Sequence, residues 1–205
     1  GNAGAVNITS ASLTANAVTG ISLDTTIANL TATNTTSGGI DINETDNLNV
    51  LLASAAGQAV NLLAGGNLNV TAISGGTVTL IATGAITDAN GVAVNVSASS
   101  LNALANNGIA LGTAVANLTA TNNTNGNILI NEADGMTVQS AINAAAAIQI
   151  ISAFGLLTIV NVDAKGHFLA STDDSAAPGD NLVVSGVVEA DNAVSLVAGD
   201  DITLQ

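Results

Sequence analysis

The sequence is nearly devoid of aromatic residues, with two Phe and no Tyr or Trp among 205 residues. Large aromatic rings usually dominate a thick globular core, but here the 48% hydrophobic content comes almost entirely from Val, Ile, Leu and Ala. Such a composition can fill only a narrow, regularly layered interior. The chain also has no Cys, so no disulfide pattern reports on the redox compartment.

Positive charge is almost absent as well. One Lys stands against 15 Asp and Glu residues, which gives a formal net charge of −14, and Lys165 and His167 are the only cationic candidates. Because nucleic-acid binding requires several cations that displace counterions, we exclude it, and attraction to anionic lipids fails for the same reason. An acidic surface instead favours solubility and repulsion between neighbouring molecules.

Two long segments of the chain repeat each other. Residues 27–50 and 115–138 align without gaps at an offset of 88, and 15 of the 24 positions are identical. A second similarity joins residues 58–70 to residues 192–204 at an offset of 134. Two unequal offsets indicate a smaller structural unit beneath the long repeat, as in solenoid proteins.

The smaller unit is a short pattern of the form apolar-x-apolar, which places both apolar side chains on one face of a strand. The clearest pairs are Val6/Ile8, Ile21/Leu23, Ile40/Ile42, Val60/Leu62, Val78/Leu80, Val94/Val96, Ile109/Leu111, Ile128/Ile130 and Ile148/Ile150. The sequence therefore predicts an all-β protein, a single-stranded parallel β-helix (β-solenoid) of about eleven coils of roughly 15–20 residues. A sandwich or barrel is the alternative for short strands, but the repetitive spacing and the missing aromatic residues favour the solenoid.

One apolar stretch has the length of a membrane span. Residues 142–162 contain no charged residue, and about 20 apolar residues suffice to cross a bilayer. However, Asn143, Gln149 and Ser152 interrupt the stretch, and no cluster of Lys or Arg flanks it. We expect two buried coils here and no membrane span.

The regular pattern weakens at about residues 163–181. This stretch holds the only Lys, the only His and the only Pro of the chain, as well as one of the two Phe. We expect residues 1–205 to form a single solenoid segment from which this stretch departs as an irregular loop, although loops also carry function more often than scaffolds do.

The final segment, NAVSLVAGDDITLQ at residues 192–205, resembles the repeats of filamentous haemagglutinin and related two-partner-secreted adhesins. Those repeats alternate an apolar strand, Ala-Gly, an Asp or Asn, and then Ile-x-Leu. The segment QAVNLLAGGNLNV at residues 58–70 matches the same pattern less closely. The resemblance implies a right-handed parallel β-helix that is secreted to the cell surface as a structural or adhesive fibre.

The two ends of the sequence suggest continuation. Reading Gln205 into Gly1 continues the repeat, and no polar cap of the kind that isolated solenoids need is recognisable. We therefore expect the segment to stack end to end on neighbouring repeats or on other copies of itself. Host or neighbouring-cell glycans or proteins are a second class of expected partner. A self-assembling matrix or sheath filament without a specific receptor is the alternative.

Some parallel β-helices are enzymes that act on carbohydrates. Glycoside hydrolysis needs a pair of facing carboxylates. The adjacent pairs Asp173-Asp174 and Asp200-Asp201 would point to opposite faces of a strand. The chain has no Arg, and its one Lys lies in the irregular stretch. We predict no catalytic residues and no enzyme, with a degenerate carbohydrate-binding or carbohydrate-active β-helix as a second alternative.

No bound cofactor is expected, but calcium remains open. One His without any Cys gives no transition-metal set, whereas carboxylates and turn carbonyls are suitable calcium ligands. Glu44 with Asp46 and Glu132 with Asp134 recur at equivalent places of the repeat, each pair on one face if the chain is extended. The calcium candidates are Glu44, Asp46, Glu132, Asp134, Asp200 and Asp201, and Asp180, like the last two, lies near a predicted turn. The alternative is a solvated acidic edge.

Overall fold

The computed structural model describes residues 5–176 and 178–205. All regular structure in these ranges is β-strand, and the strands form one 18-stranded sheet. In chain order the strands are β1 (Ile8–Ala17), β2 (Ile21–Asn34), β3 (Ile40–Glu44), β4 (Leu48–Ala55), β5 (Val60–Ala64), β6 (Leu68–Val70), β7 (Ile73–Ala82), β8 (Ile86–Asp88), β9 (Val96–Ala105), β10 (Ile109–Asn122), β11 (Ile128–Glu132), β12 (Met136–Asn143), β13 (Ile148–Ser152), β14 (Leu157–Ala164), β15 (Phe168–Thr172), β16 (Leu182–Ala190), β17 (Val194–Val197) and β18 (Ile202–Leu204).

The strands pair in parallel with the strands one coil further along the chain. Ile8 pairs with Thr25 across one of the shortest coils, and Phe168 pairs with Val194 across one of the longest. The result is a β-solenoid of about ten turns. The predicted stack of parallel coils is confirmed, with about one coil fewer because several coils are longer than the predicted range.

Seven inward-facing positions recur in the turns of the solenoid. Equivalent positions of successive turns stack in register, and we call each such stack a column and number the columns 1 to 7 along the chain. In the turn of residues 40–55 the buried positions of columns 1 to 7 are, in order, Ile40, Ile42, Glu44, Leu48, Val50, Ala53 and Ala55. Column 1 runs through Ile21, Ile40, Val60, Val78, Leu101, Leu118, Val138, Ile159, Val184 and Leu204. Like side chains thus stack at the strand spacing of roughly 4.8 Å, which explains why the interior needs almost no large rings.

Tight turns between the strands require glycine at particular positions. Gly38 and its repeat equivalent Gly126 have φ of 73° and 81°, in the left-handed region that other residues avoid. A Cβ added at Gly38 would stand 2.3 Å from the carbonyl oxygen of Thr19 in the turn before. The turn is therefore both conformationally and sterically restricted to glycine.

The predicted irregular loop at residues 163–181 is wrong for its first half. Strand β15 lies within it, and fully buried Phe168 occupies column 4 between Ile148 and Val194. The aliphatic pairs do not reveal β15, because Phe168 and Ala170 supply one large and one small side chain in place of two branched aliphatic ones. Residues 173–176 and 178–181 do depart from the strands, and we call them the irregular segment.

The apolar stretch of residues 142–162 forms the end of β12, then β13 and most of β14, as expected for buried coils. No helix that is long and apolar enough to cross a membrane occurs within residues 5–176 and 178–205.

The long repeat, with its offset of 88, does not span a whole number of turns. After four turns, the residue that stands in column 1 above Ile21 is Leu101. The repeat equivalent of Ile21 is instead Ile109, which lies further along the chain and stands in column 4. Consequently Ile40 stands in column 1, whereas its repeat equivalent Ile128 stands in column 4. Equivalent features of the two copies therefore lie on different sides of the solenoid.

Candidate functional site

The chain is not extended through the repeated acidic pairs, so the condition under which each pair would share one face of a strand is not met. Glu44 is the last residue of β3 and continues the inward phase of Ile40 and Ile42, so it is buried, whereas Asp46 lies in the following turn and is exposed. The alternation of inward-facing and outward-facing side chains stops at the end of the strand. Glu132 is likewise the buried last residue of β11, and Asp134 lies in the turn that follows.

The buried carboxylate of Glu44 joins two successive turns. Its Oε2 accepts hydrogen bonds from the Thr25 hydroxyl at 2.6 Å and from the backbone amide of Ile27 at 2.9 Å. Its Oε1 accepts the backbone amide of Thr45 at 2.9 Å. Because the carboxylate is satisfied by internal donors, as a buried charge must be, it has little capacity left for a calcium ion.

Glu132 has the same arrangement in the second copy of the repeat. Its Oε2 accepts the Thr113 hydroxyl at 2.7 Å and the amide of Val115 at 3.2 Å. Its Oε1 accepts the amide of Ala133 at 3.0 Å. We call these two arrangements the Glu44 corner and the Glu132 corner. At the Glu44 corner β2 continues as one unbroken strand past the position where other coils turn. At the Glu132 corner β10 does the same.

Burial raises the pKa of the Glu132 carboxyl from its ordinary value of 4.5 to about 7. The hydrogen bond from the Thr113 hydroxyl lowers this pKa, while the side chain of Asp134 raises it further. The carboxyl of Glu132 therefore changes its protonation near neutral pH.

A shallow groove lies outside each corner, and we name the grooves after their acidic residues. The Asp46 groove has a volume of about 420 Å³ and is lined by Thr9, Ser10, Thr26, Ile27, Ala28, Asp46 and Asn47. The Asp134 groove has a volume of about 480 Å³ and is lined by Gly75, Ser97, Ala98, Ser99, Ala114, Val115, Ala116, Asp134 and Gly135. Each presents one carboxylate among small and polar side chains, which suits weak polar contacts and supplies no paired acid and base.

The remaining calcium candidates lie far along the chain from both corners. Asp200 is exposed, and its Oδ2 accepts the backbone amides of Gly179 at 2.7 Å and Asp180 at 3.0 Å. The amide of Asp201 donates to Oδ1 of Asn181 at 3.0 Å. These contacts attach the last turn to the irregular segment beneath it.

Asp180 organises the irregular segment. It is 3% exposed, and its two carboxylate oxygens accept the amides of Gly155 and Ser175, each at 2.7 Å. Hydrogen bonds from the Ser175 side chain and then from these two amides lower the pKa of Asp180. No sequence signal distinguishes it from Asp173 and Asp174 of the same segment, which are exposed.

Within the described residues, no three His, Asp or Glu side chains come close enough to hold a metal ion. Calcium prefers six to eight oxygen ligands, and the oxygens of Glu44, Glu132 and Asp180 already accept hydrogen bonds from the chain. The described part of the chain therefore offers no cluster of ligands that fits a calcium site.

The few cationic groups lie at the surface. Nζ of Lys165 stands 3.7 Å from a carboxylate oxygen of Asp163 and 3.5 Å from one of Asp191. Coulombic attraction to these two carboxylates raises the pKa of Lys165. His167 is exposed beside the start of β15, as expected for a solvent-facing side chain.

Asparagine side chains bond from turn to turn along one outer row. Nδ2 of Asn49 donates to Oδ1 of Asn29 at 3.2 Å, and Nδ2 of Asn69 donates to Oδ1 of Asn49 at 2.7 Å. The Thr87 hydroxyl continues the row by donating to Oδ1 of Asn69. An Asn and Thr ladder therefore runs along a partly exposed strand surface of the solenoid.

Other Asn residues close turns from within. Oδ1 of Asn34 accepts the amide of Gly20 at 3.0 Å, and its Nδ2 donates to the carbonyl of Ser37 at 2.9 Å. Asn122 holds the equivalent turn, since Oδ1 accepts the amide of Gly108 at 2.8 Å and Nδ2 donates to the carbonyl of Asn125 at 2.8 Å. These buried Asn residues thus fix the geometry of their turns.

The terminal turns leave their inward side chains incompletely covered. In the last turn Val194 is 46% exposed, Ile202 48% and Leu204 72%, and in the first turn Val6 is 39% exposed. Columns 1 and 4 are closed in the inner turns, where Val60 and Leu68 are fully buried. Each end of the described solenoid therefore presents an apolar cross-section.

Comparison with known proteins finds no matching family model, no matching curated protein and no matching solved structure. The parallel β-solenoid itself is compatible with β-helix repeat proteins.

Proposed function

We propose that this chain is a structural component of an extracellular or cell-surface fibre or adhesin, which elongates by end-to-end stacking of β-solenoid coils. The observation that carries this proposal is the apolar cross-section at each end of the solenoid. Inward side chains such as Ile202 and Leu204 are about half exposed or more, and a further turn stacked on them would remove that surface from water.

The resemblance of residues 192–205 to filamentous haemagglutinin-like repeats supports secretion to the cell surface and an adhesive role. The structure adds a mechanical reason for a fibre. Parallel ladders run through about ten turns, so tension along the axis is shared among many hydrogen bonds. A surface carrying −14 charge keeps neighbouring rods apart sideways while their ends remain free to dock.

The chain acts, on this proposal, without catalysis. The grooves at the two corners hold one carboxylate each, Asp46 and Asp134, and the buried Glu44 and Glu132 are occupied by structural hydrogen bonds. A glycoside hydrolase would instead need two facing carboxyl groups about 5 to 10 Å apart.

Negative-stain electron microscopy of the purified chain tests the fibre proposal. We expect filaments with an axial repeat of roughly 50 Å, which is about ten turns at the strand spacing. Isolated short rods at all concentrations would contradict self-assembly.

Two further experiments test the location and the absence of catalysis. Antibody labelling of intact source cells tests the location, since signal only after permeabilisation would contradict a surface fibre. A glycan array scored for binding and for hydrolysis distinguishes an adhesin from a receptor-free sheath, and any turnover would contradict the non-catalytic proposal.

A further inference from the structure

We propose that a second copy of this chain docks head to tail, with residues 6–21 of one copy stacked on residues 188–204 of the other in the register that continues all seven columns. This inference rests on the proposed end-to-end assembly and specifies its partner, polarity and register.

The column order supports the register. In the last turn columns 2 to 7 and then column 1 are occupied, in chain order, by Val188, Ala190, Val194, Leu196, Ala198, Ile202 and Leu204. In the first turn the same columns are occupied, in the same order, by Val6, Ile8, Ser10, Leu13, Ala15, Ala17 and Ile21. Every column except column 4 therefore places an apolar side chain against an apolar side chain.

Column 4 sets the small side chain of Ser10 against Val194. The Ser10 hydroxyl donates to the carbonyl of Ser12 at 3.0 Å, so its hydrogen-bonding requirement is met within its own strand. A hydroxyl that is already hydrogen-bonded adds little cost when it is covered. The single polar position is therefore compatible with the junction.

The burial of the end residues matches a face with one missing neighbour. Ile8, Leu13, Ala15 and Ala17 at one end are partly buried against the core, and Val188, Ala190, Leu196 and Ala198 at the other end are partly buried in the same way. Members of the same columns inside the rod, such as Val162 and Ile150, are fully buried. Docking would give the end residues the environment that the inner residues already have.

The backbone edges are complementary as well. Among the described strands, β1 pairs with β2 alone, β17 with β15 alone and β18 with β16 alone. Each of these terminal strands therefore has one edge without a strand partner in the described chain, which is a template for adding a strand. A parallel ladder continues only if the strands of the two copies run in the same direction, which requires a head-to-tail arrangement.

The distribution of charged residues favours the same head-to-tail arrangement. Residues 5–23 contain no charged side chain, and the first acidic residue is Asp24. The opposite end carries Glu189, Asp191, Asp200 and Asp201. Head-to-tail docking places a neutral turn on the acidic one, whereas tail-to-tail docking opposes four carboxylates with four more. A heterologous contact of this kind does not close on itself and generates an open filament.

The register can be measured because the chain has no Cys. The continued columns place Ser12 of one copy directly over Ser195 of the other, and both side chains are exposed. Their Cα atoms would be separated by the strand spacing of roughly 4.8 Å, within the range that a disulfide spans. Thr14 is also exposed but lies two residues further along, at about 8 Å from Ser195, beyond that range.

The experiment compares the double variant Ser12→Cys/Ser195→Cys with its matched control Thr14→Cys/Ser195→Cys. Both are mildly oxidised, and covalent species are resolved on a non-reducing denaturing gel. We expect a ladder of trimers and longer multimers for the first variant, at least tenfold more abundant than for the control. The two single-cysteine variants, Ser12→Cys and Ser195→Cys, can give dimers at most.

The possible outcomes separate the two proposals. Equal ladders from both double variants, or a ladder only from Thr14→Cys/Ser195→Cys, would overturn the register. Filaments in the microscope without cross-links from either variant would overturn the register and leave end-to-end assembly standing. Absence of both filaments and cross-links would overturn both proposals.

Discussion

The hydroxyl of Thr113 donates a 2.7 Å hydrogen bond to the buried carboxylate of Glu132, one turn further along the solenoid. Thr25 and Glu44 make the same contact at 2.6 Å in the first copy of the long repeat. A buried carboxylate is costly unless it is fully hydrogen-bonded. The corner is therefore a structural device that the chain uses twice, and it provides the most direct tests of the structure.

Stability should depend on pH through Glu132. The pKa of its carboxyl rises from 4.5 to about 7 on folding, so the folded state binds the proton more tightly. This contribution to stability is fully present below pH 4.5 and is lost as the pH rises through about 7. The loss amounts to about 3 kcal/mol.

Chemical denaturation of the wild type at a series of pH values should show this fall. The variant Glu132→Gln, which has no carboxyl there, should show a smaller dependence on pH. An unchanged pH profile in that variant would contradict the assignment.

The Glu44 corner should be sensitive to loss of its carboxylate. Replacing Glu44 with Ala leaves the Thr25 hydroxyl and the Ile27 amide without their acceptor, and we expect a loss of about 2 to 4 kcal/mol. Asp46→Ala is the matched control, because Asp46 is exposed two residues later and its removal should change stability by less than about 0.5 kcal/mol. Equal losses in urea denaturation would show that the carboxylate is not structural.

The two phenylalanines should behave oppositely. Phe168 is fully buried in column 4, whereas Phe154 is 57% exposed in the turn after β13. We expect Phe168→Ala to cost about 3 to 5 kcal/mol and Phe154→Ala to cost less than about 1 kcal/mol. Thermal unfolding of the two variants checks this difference. A mild effect at Phe168 would return residues 163–172 to the irregular loop that the sequence predicted.

Filament growth should fail when the end face is made polar. Leu204→Asp places a carboxylate in column 1 of the last turn, where it must be buried at the proposed junction. We expect filaments at least tenfold shorter by electron microscopy. Leu129→Asp is the control, because Leu129 is 37% exposed and faces outward on an inner turn. Shortening by both substitutions alike would indicate a general effect of charge.

Local pattern predicted the solenoid, because Ile40 and Ile42 and their counterparts repeat the same short motif in nearly every turn. The same rule, applied one step further, would have placed Glu44 inside, since it follows Ile42 at period two. Its sequence pattern also suited a calcium ligand or a solvated acidic edge, because a lone carboxylate is normally exposed. Its donors, Thr25 and Ile27, lie 19 and 17 residues away, and only the register of the stacked turns brings them together.

The role of Asp180 could not be predicted for a related reason. Its partner Gly155 lies 25 residues away, and the two meet only because β14 and the irregular segment occupy successive turns. Phe168 differs from Asp180, because a local signal was present in the sequence. Phe168 and Ala170 form an apolar pair at period two, but the pair does not have the two branched aliphatic side chains that other coils repeat.

Because the repeat offset of 88 residues does not span a whole number of turns, the two grooves of the rod face different directions. Glu44 stands in column 3 and Glu132 in column 6, so the Asp46 and Asp134 grooves open at different angles around the axis. A ligand lying along one side of the rod would meet one groove and not the other. Any two molecules held in these grooves would therefore lie on different sides of the rod.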